Sequence, residues 1–159
     1  MLGTKIYKTD MSNYTECAIW CNQNKATIED KGDYYEVVTL PLPTLEEIKA
    51  AKITELKAQR DAAEVEPITY QGYSFDYDSK ARERINAAII ALEVAGASAT
   101  LTWTTADNKD VKVTASDLRG IIAQVALRSD KLHTAYRKAK AKVEAATTKE
   151  EVGAISLFN

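Results

Sequence analysis

The segment Pro41-Leu42-Pro43 constrains this chain more than any other feature. Proline fixes φ and lacks an amide donor, and the residue before each proline is pushed toward extended backbone, so neither a central strand nor a helix interior runs through it. Thr44-Leu45-Glu46-Glu47 follows at once and matches a capping box, in which a threonine oxygen and a glutamate satisfy backbone donors at a helix start. The sequence therefore predicts a boundary here, with a small unit over 1–42 and a larger α+β domain over 43–159.

In the first unit, Lys5 to Thr9 alternates as a strand does, and Asp10 and Ser12 offer N-caps for a helix over Tyr14–Asn24 with Cys17, Trp20 and Cys21 as its buried stripe. Ala26 to Glu29, the turn Asp30 to Asp33 and the β-rich run Tyr34 to Thr39 read as a hairpin. The predicted order is β-α-β-β. Strand Tyr34, Tyr35, Val37 is expected at an edge, open to a partner.

The larger domain reads as helix, hairpin, helix, hairpin, long helix, short helix. The first helix, from Leu45 to about Glu64, carries only a thin apolar stripe of Leu45, Ile48, Ile53 and Leu56. Ile68 to Phe75 is a hairpin with Gln71-Gly72 at its two-residue turn, placing Ile68, Tyr70, Tyr73 and Phe75 on one face. The expected partner of that face is the next helix, capped by Asp78 or Ser79, with Ile85, Ala88, Ile89 and Leu92 at helical spacing and Gly96 as its stop. A second hairpin flanks Asp107 to Asp110 and is expected to turn Leu101, Trp103, Val111 and Val113 inward, with threonines outside. Thr114 to Asp117 caps a long helix whose Leu118, Ile121, Ile122, Val125, Leu132, Tyr136 and Val143 keep a near-heptad stripe. Thr147 to Glu151 starts a last short helix.

Composition narrows function by exclusion. A net charge of -2 offers a polyanion no long-range attraction, so nucleic acid is not expected as a partner, and no segment approaches the apolar run needed to cross a bilayer, so neither is a membrane. The N-terminus lacks an apolar stretch after its basic residues, and synthesis is expected in the cytoplasm. For the same reason the glycosylation pattern Asn13-Tyr14-Thr15 has no use. With the single histidine His133, no Ser-His-Asp constellation and no zinc spacing can be assembled, so no catalytic, cofactor or metal residue is assigned and the chain is expected not to be an enzyme. No glycine-rich phosphate loop occurs, since Gly72 and Gly96 already serve a turn and a helix stop.

Four weaker signals have plainer explanations. His133 lies one position from an apolar stripe, as a half-buried or solvated histidine does. Cys17 and Cys21 at i, i+4 would leave a metal half coordinated and read as reduced thiols facing the core. Asp76 and Asp78, with Tyr73 and Tyr77 nearby, lack the glycine and closing glutamate of a calcium loop and read as turn and cap. Arg128, Lys131, Arg137, Lys138, Lys140 and Lys142 make one helix end basic, which suits a solvated face near a helix C-terminus.

The run from Thr44 to Ala63, then Pro67 to Asp76, Arg82 to Ala88, Trp103 to Asn108, the helix bearing His133 and Ile155 together resemble a domain of unknown function common in phage and prophage tail proteins. The resemblance covers residues 44–157, and Tyr14 to Trp20 is similar to short segments that precede this domain. Its members end tail-fibre, baseplate or tail-assembly proteins and bring no enzymatic residues with them. It implies a non-enzymatic virion component that passes from the host cytoplasm to the tail and docks on other tail or fibre proteins, in several copies as tail symmetry favours. The chain has no long shaft-forming region, so an accessory piece fits better than the fibre itself. The rivals are a tail-fibre assembly chaperone absent from the finished particle, and a nucleic-acid-binding accessory using the basic helix.

Overall fold

The computed structural model describes residues 1–158 and shows the mixed, segregated helices and antiparallel sheets of the α+β class. The chain packs as two compact units, Met1–Thr44 and a second from Leu45 onward.

The first unit consists of β1 (Lys5–Tyr7), α1 (Tyr14–Asn24), β2 (Ala26–Asp30) and β3 (Tyr34–Thr39). The strands form one antiparallel sheet in the order β1-β3-β2, with Ile6 opposite Tyr35 and Ile28 opposite Val37. Because side chains alternate across a strand, Tyr35 and Val37 share one face of β3, and there they meet α1. Ile6, Cys17, Cys21, Ala26 and Val37 are the buried core, while Trp20 packs against them only half-buried. Tyr14 meets Tyr35 edge-on, with ring centroids 5.6 Å apart.

The start of α1 differs from expectation. Its N-cap is Asn13, with no side-chain cap bond, whereas Asp10 accepts the Ser12 amide at 3.1 Å in a turn before the helix. Two polar residues able to cap were close together, and a local turn captured one of them. Lys25, in the left-handed region at φ 51, ends the helix and donates its N–H to the Cys21 carbonyl.

The second unit runs α2 (Leu45–Glu64), β4 (Ile68–Tyr70), β5 (Tyr73–Phe75), α3 (Ser79–Ala95), β6 (Leu101–Thr104), β7 (Asp110–Val113), α4 (Ala115–Ala145) and α5 (Lys149–Ala154). Gln71 and Gly72 both have positive φ, 49° and 82°, which is the two-residue turn that matches strand twist. Asp78 caps α3 by accepting the Ala81 amide at 2.7 Å, and Thr114 with Asp117 and Thr148 with Glu151 form reciprocal capping boxes on α4 and α5.

Two apolar clusters lie along α4. One gathers Phe75, Ile85, Ala88, Leu92, Trp103 and Val113 around Leu118 and Ile121; the other joins Leu56 of α2 and Val152 of α5 to Ala139 and Val143. A helix of 31 residues is roughly 46 Å long, enough to back both clusters. Leu118, Val125, Leu132 and Ala139 are all buried and recur every seven residues, so the near-heptad stripe is spent inside the unit against α2 and the hairpins.

The hairpin faces are shallower than expected. Trp103 and Val113 are buried, but Leu101 is 39% exposed, and Tyr73 is 45% exposed although it shares a face with buried Phe75. Tyr73 flanks the turn and Leu101 begins its strand, end positions of strands only three and four residues long. The first hairpin packs chiefly on α4 and not on α3 as expected: Tyr70 lies across Gly120 of α4, and Phe75 joins Ile85 of α3 only within the shared cluster.

Candidate interaction surfaces

In the first unit β3 is the central strand, bonded on both sides, so Tyr34, Tyr35 and Val37 do not form an open edge. The reason is the pairing of β1 with β3 across some thirty residues of sequence. The edges are β1 and β2, and both end in charge: Lys8 and Asp30 form an ion pair at 2.9 Å, and Lys31 reaches Glu29 at 2.9 Å. The hydrogen bond from Lys8 holds the Asp30 carboxyl below its usual range. Charged side chains at sheet edges deter unselective strand addition. Cys17 and Cys21 are free thiols facing the core, and burial pushes the Cys17 thiol upward, away from the thiolate a metal needs.

On the second unit, α3 turns Ile85, Ala88 and Leu92 inward and leaves Ala87, Ile90, Ala91 and Val94 on the opposite side. Ile90 is 64% and Val94 86% exposed, an apolar stripe at i, i+3, i+4 and i+7.

The residues nearest to catalytic types converge where α2 ends. Glu64 accepts the Ser129 hydroxyl at 2.8 Å, and His133 Nε2 stands 3.4 Å from the same carboxylate oxygen. A nucleophilic serine needs its hydroxyl on the imidazole, with the carboxylate behind. Here the carboxylate lies between the two, so the serine donates to an acceptor that does not relay its proton. Arg128 stands beside this cluster and is not on a solvated face. Its guanidinium donates to the carbonyl of Glu64, the last residue of α2, at 2.8 Å and to those of Glu66 at 2.8 Å and Pro67 at 3.3 Å in the connection to β4. The cluster is a lock between α2 and α4.

The remaining basic residues of α4 divide by partner. Arg137 donates to Thr134 at 2.8 Å and Lys140 pairs with Glu144 at 3.6 Å. Lys131, Lys138 and Lys142 instead line one open groove of about 340 Å³ floored by Ala135, Ala139 and Leu157. A trace of this was present in the sequence, because Lys138 and Lys142 are a like-charged i, i+4 pair whereas Lys140 has Glu144 at that spacing. Asp78 is used as a cap, and no grouping of three or more histidine, cysteine or carboxylate residues able to hold a metal occurs among the described residues. Nor is any helix among them long and apolar enough to cross a membrane.

The two units thus define an α+β protein whose distinctive surfaces are a charged-edge sheet, an exposed apolar helix face and a lysine-lined groove. Residues 47–156, nearly all of the second unit, match the family described as Domain of unknown function (DUF4376), and the chain belongs to that family. No curated protein and no solved structure matches it.

Proposed function

We propose that the protein is a non-enzymatic bacteriophage virion component, a small tail, baseplate or fibre-associated piece that docks on a larger tail protein. What supports the reading is the resemblance of residues 44–157 to a domain common in phage and prophage tail proteins, together with surfaces suited to association. Chief among these is the exposed stripe Ala87, Ile90, Ala91 and Val94 on α3, since apolar helix faces drive association by burial. On this reading the chain is made in the host cytoplasm and carried into the tail, in several identical copies. The test is mass spectrometry of purified particles, or of tails released from an induced prophage. Peptides of this chain at stoichiometric copy number are the expected result. Consistent absence from particles, despite expression in the producing cell, would favour an assembly chaperone.

A further inference from the structure

The groove on the C-terminal half of α4 has two properties that belong together. Its rim carries Lys131, Lys138 and Lys142, all exposed and without an ion-pair or hydrogen-bond partner among the described residues, while neighbouring Lys140, Lys49 and Lys52 each have a glutamate. Its floor is apolar, formed by Ala135, Ala139 and Leu157, of which the last two are buried.

On a helix rising 1.5 Å per residue, Lys131 and Lys138 are roughly 10 Å apart and Lys138 and Lys142 roughly 6 Å. A single small anion can bridge Lys138 and Lys142 but does not reach Lys131 as well. A continuous phosphate backbone would cover the lysines but leave the apolar floor of Ala135, Ala139 and Leu157 without a partner. A peptide helix laid along α4 covers that floor and brings carboxylates to the lysines. Carboxylates seven and eleven positions after a first one reach the three lysines in turn, and apolar side chains between them cover the alanines and Leu157.

We propose that this groove docks an acidic amphipathic helix of a partner protein. The proposal rests on the reading of the protein as a docking component, and it names the chemistry of one partner segment. Lys131, Lys138 and Lys142 set its charge pattern, and Ala135 and Ala139 set the closeness of its approach.

The experiment is a titration of the isotopically labelled full chain, followed by amide resonances, with a synthetic amphipathic peptide of about four helical turns carrying glutamates at the matching spacing. Expected are shifts confined to Thr134, Ala135, Lys138 and Ser156, fading with added salt, and about tenfold weaker binding by Lys138→Glu. A folded Lys138→Glu chain is recognised by unchanged resonances in the Trp103 cluster. No localised shift at millimolar peptide, equal binding of a peptide with lysines in place of the glutamates, or indifference to Lys138→Glu would overturn the proposal. Tighter binding of a short DNA duplex at the same residues would also overturn it, in favour of a polyphosphate ligand. Presence in virions is measured separately, so loss of the groove and loss of the tail reading are distinct results.

Discussion

A glycine inside a helix normally weakens it, so replacing Gly120 of α4 with alanine should stabilise the protein by about 1 kcal/mol on helix propensity alone. The structure removes that gain or reverses it. A Cβ on Gly120 would fall within contact of Oη and Cζ of Tyr70 and 2.6 Å from its Cε2. The ring has little room to yield. Tyr70 sits at the end of a three-residue strand beside a fixed two-residue turn and packs on the Phe75 and Trp103 cluster, and its hydroxyl accepts Gln71 Nε2 at 3.3 Å. The same Gln71 nitrogen donates to Asp117 at 3.1 Å, so moving the ring also disturbs the capping box of α4. Overpacking of this kind costs about 1–3 kcal/mol, which leaves Gly120→Ala between neutral and destabilised by about 2 kcal/mol once the propensity gain is deducted. In a Tyr70→Leu background the clash is gone and Gly120→Ala should stabilise, whereas Tyr70→Phe keeps Cζ and Cε2 and should give no relief. Urea unfolding followed by Trp103 fluorescence, with Trp20→Phe to silence the other tryptophan, measures the cycle. A coupling energy near zero, with Gly120→Ala stabilising equally in all three backgrounds, would refute the packing argument.

Arg128→Met should cost about 2–4 kcal/mol in the same assay, because the last carbonyl of α2 and two in the connection after it lose charge-assisted donors, and Arg128→Lys should recover only part; a loss within the scatter of surface mutants would show the lock to be idle. Asp117 and Glu151 are held below the usual carboxylate range, Asp117 first by the Thr114 hydroxyl and Glu151 first by the Thr147 amide. Groups with lowered folded pKa contribute stability above their unfolded pKa of about 4 and lose it as pH falls through the folded value, so unfolding midpoints should drop from about pH 4 downward and more gently in Asp117→Asn. Cys17 and Cys21, 1% and 5% exposed, should react with a thiol reagent only as the first unit opens; immediate labelling of both in the native protein would contradict their burial.

The parts of the fold that were legible are those that neighbours in sequence determine. Asp78 and Gly96 bracket α3, Gln71-Gly72 turns the first hairpin, and Thr114 with Asp117 opens α4, each within four residues of the group it serves. What was misjudged depends on partners far along the chain. The central place of β3 follows from its pairing with β1, which no local pattern encodes. Leu101 and Tyr73 alternate correctly for an inward face, yet depth depends on where a short hairpin ends over its helices. Arg128 reads as one more cation in a basic run until the carbonyls of residues 64, 66 and 67 arrive beneath it.

The groove lysines show the same division within one helix. Lys138, Lys140 and Lys142 are equivalent by type, and only the neighbour a turn away separates them: Lys140 finds Glu144, while Lys138 and Lys142 find each other. A like-charged i, i+4 pair costs a few tenths of a kcal/mol in an isolated helix, a cost that the place of Lys142 in the last turn of α4 reduces. A ligand carrying two carboxylates at the complementary spacing would turn the repulsion into attraction. Binding there should therefore raise the stability of α4 as well as occupy the groove, and the resistance of α4 amides to hydrogen exchange should increase on adding the acidic peptide and not on adding its lysine counterpart.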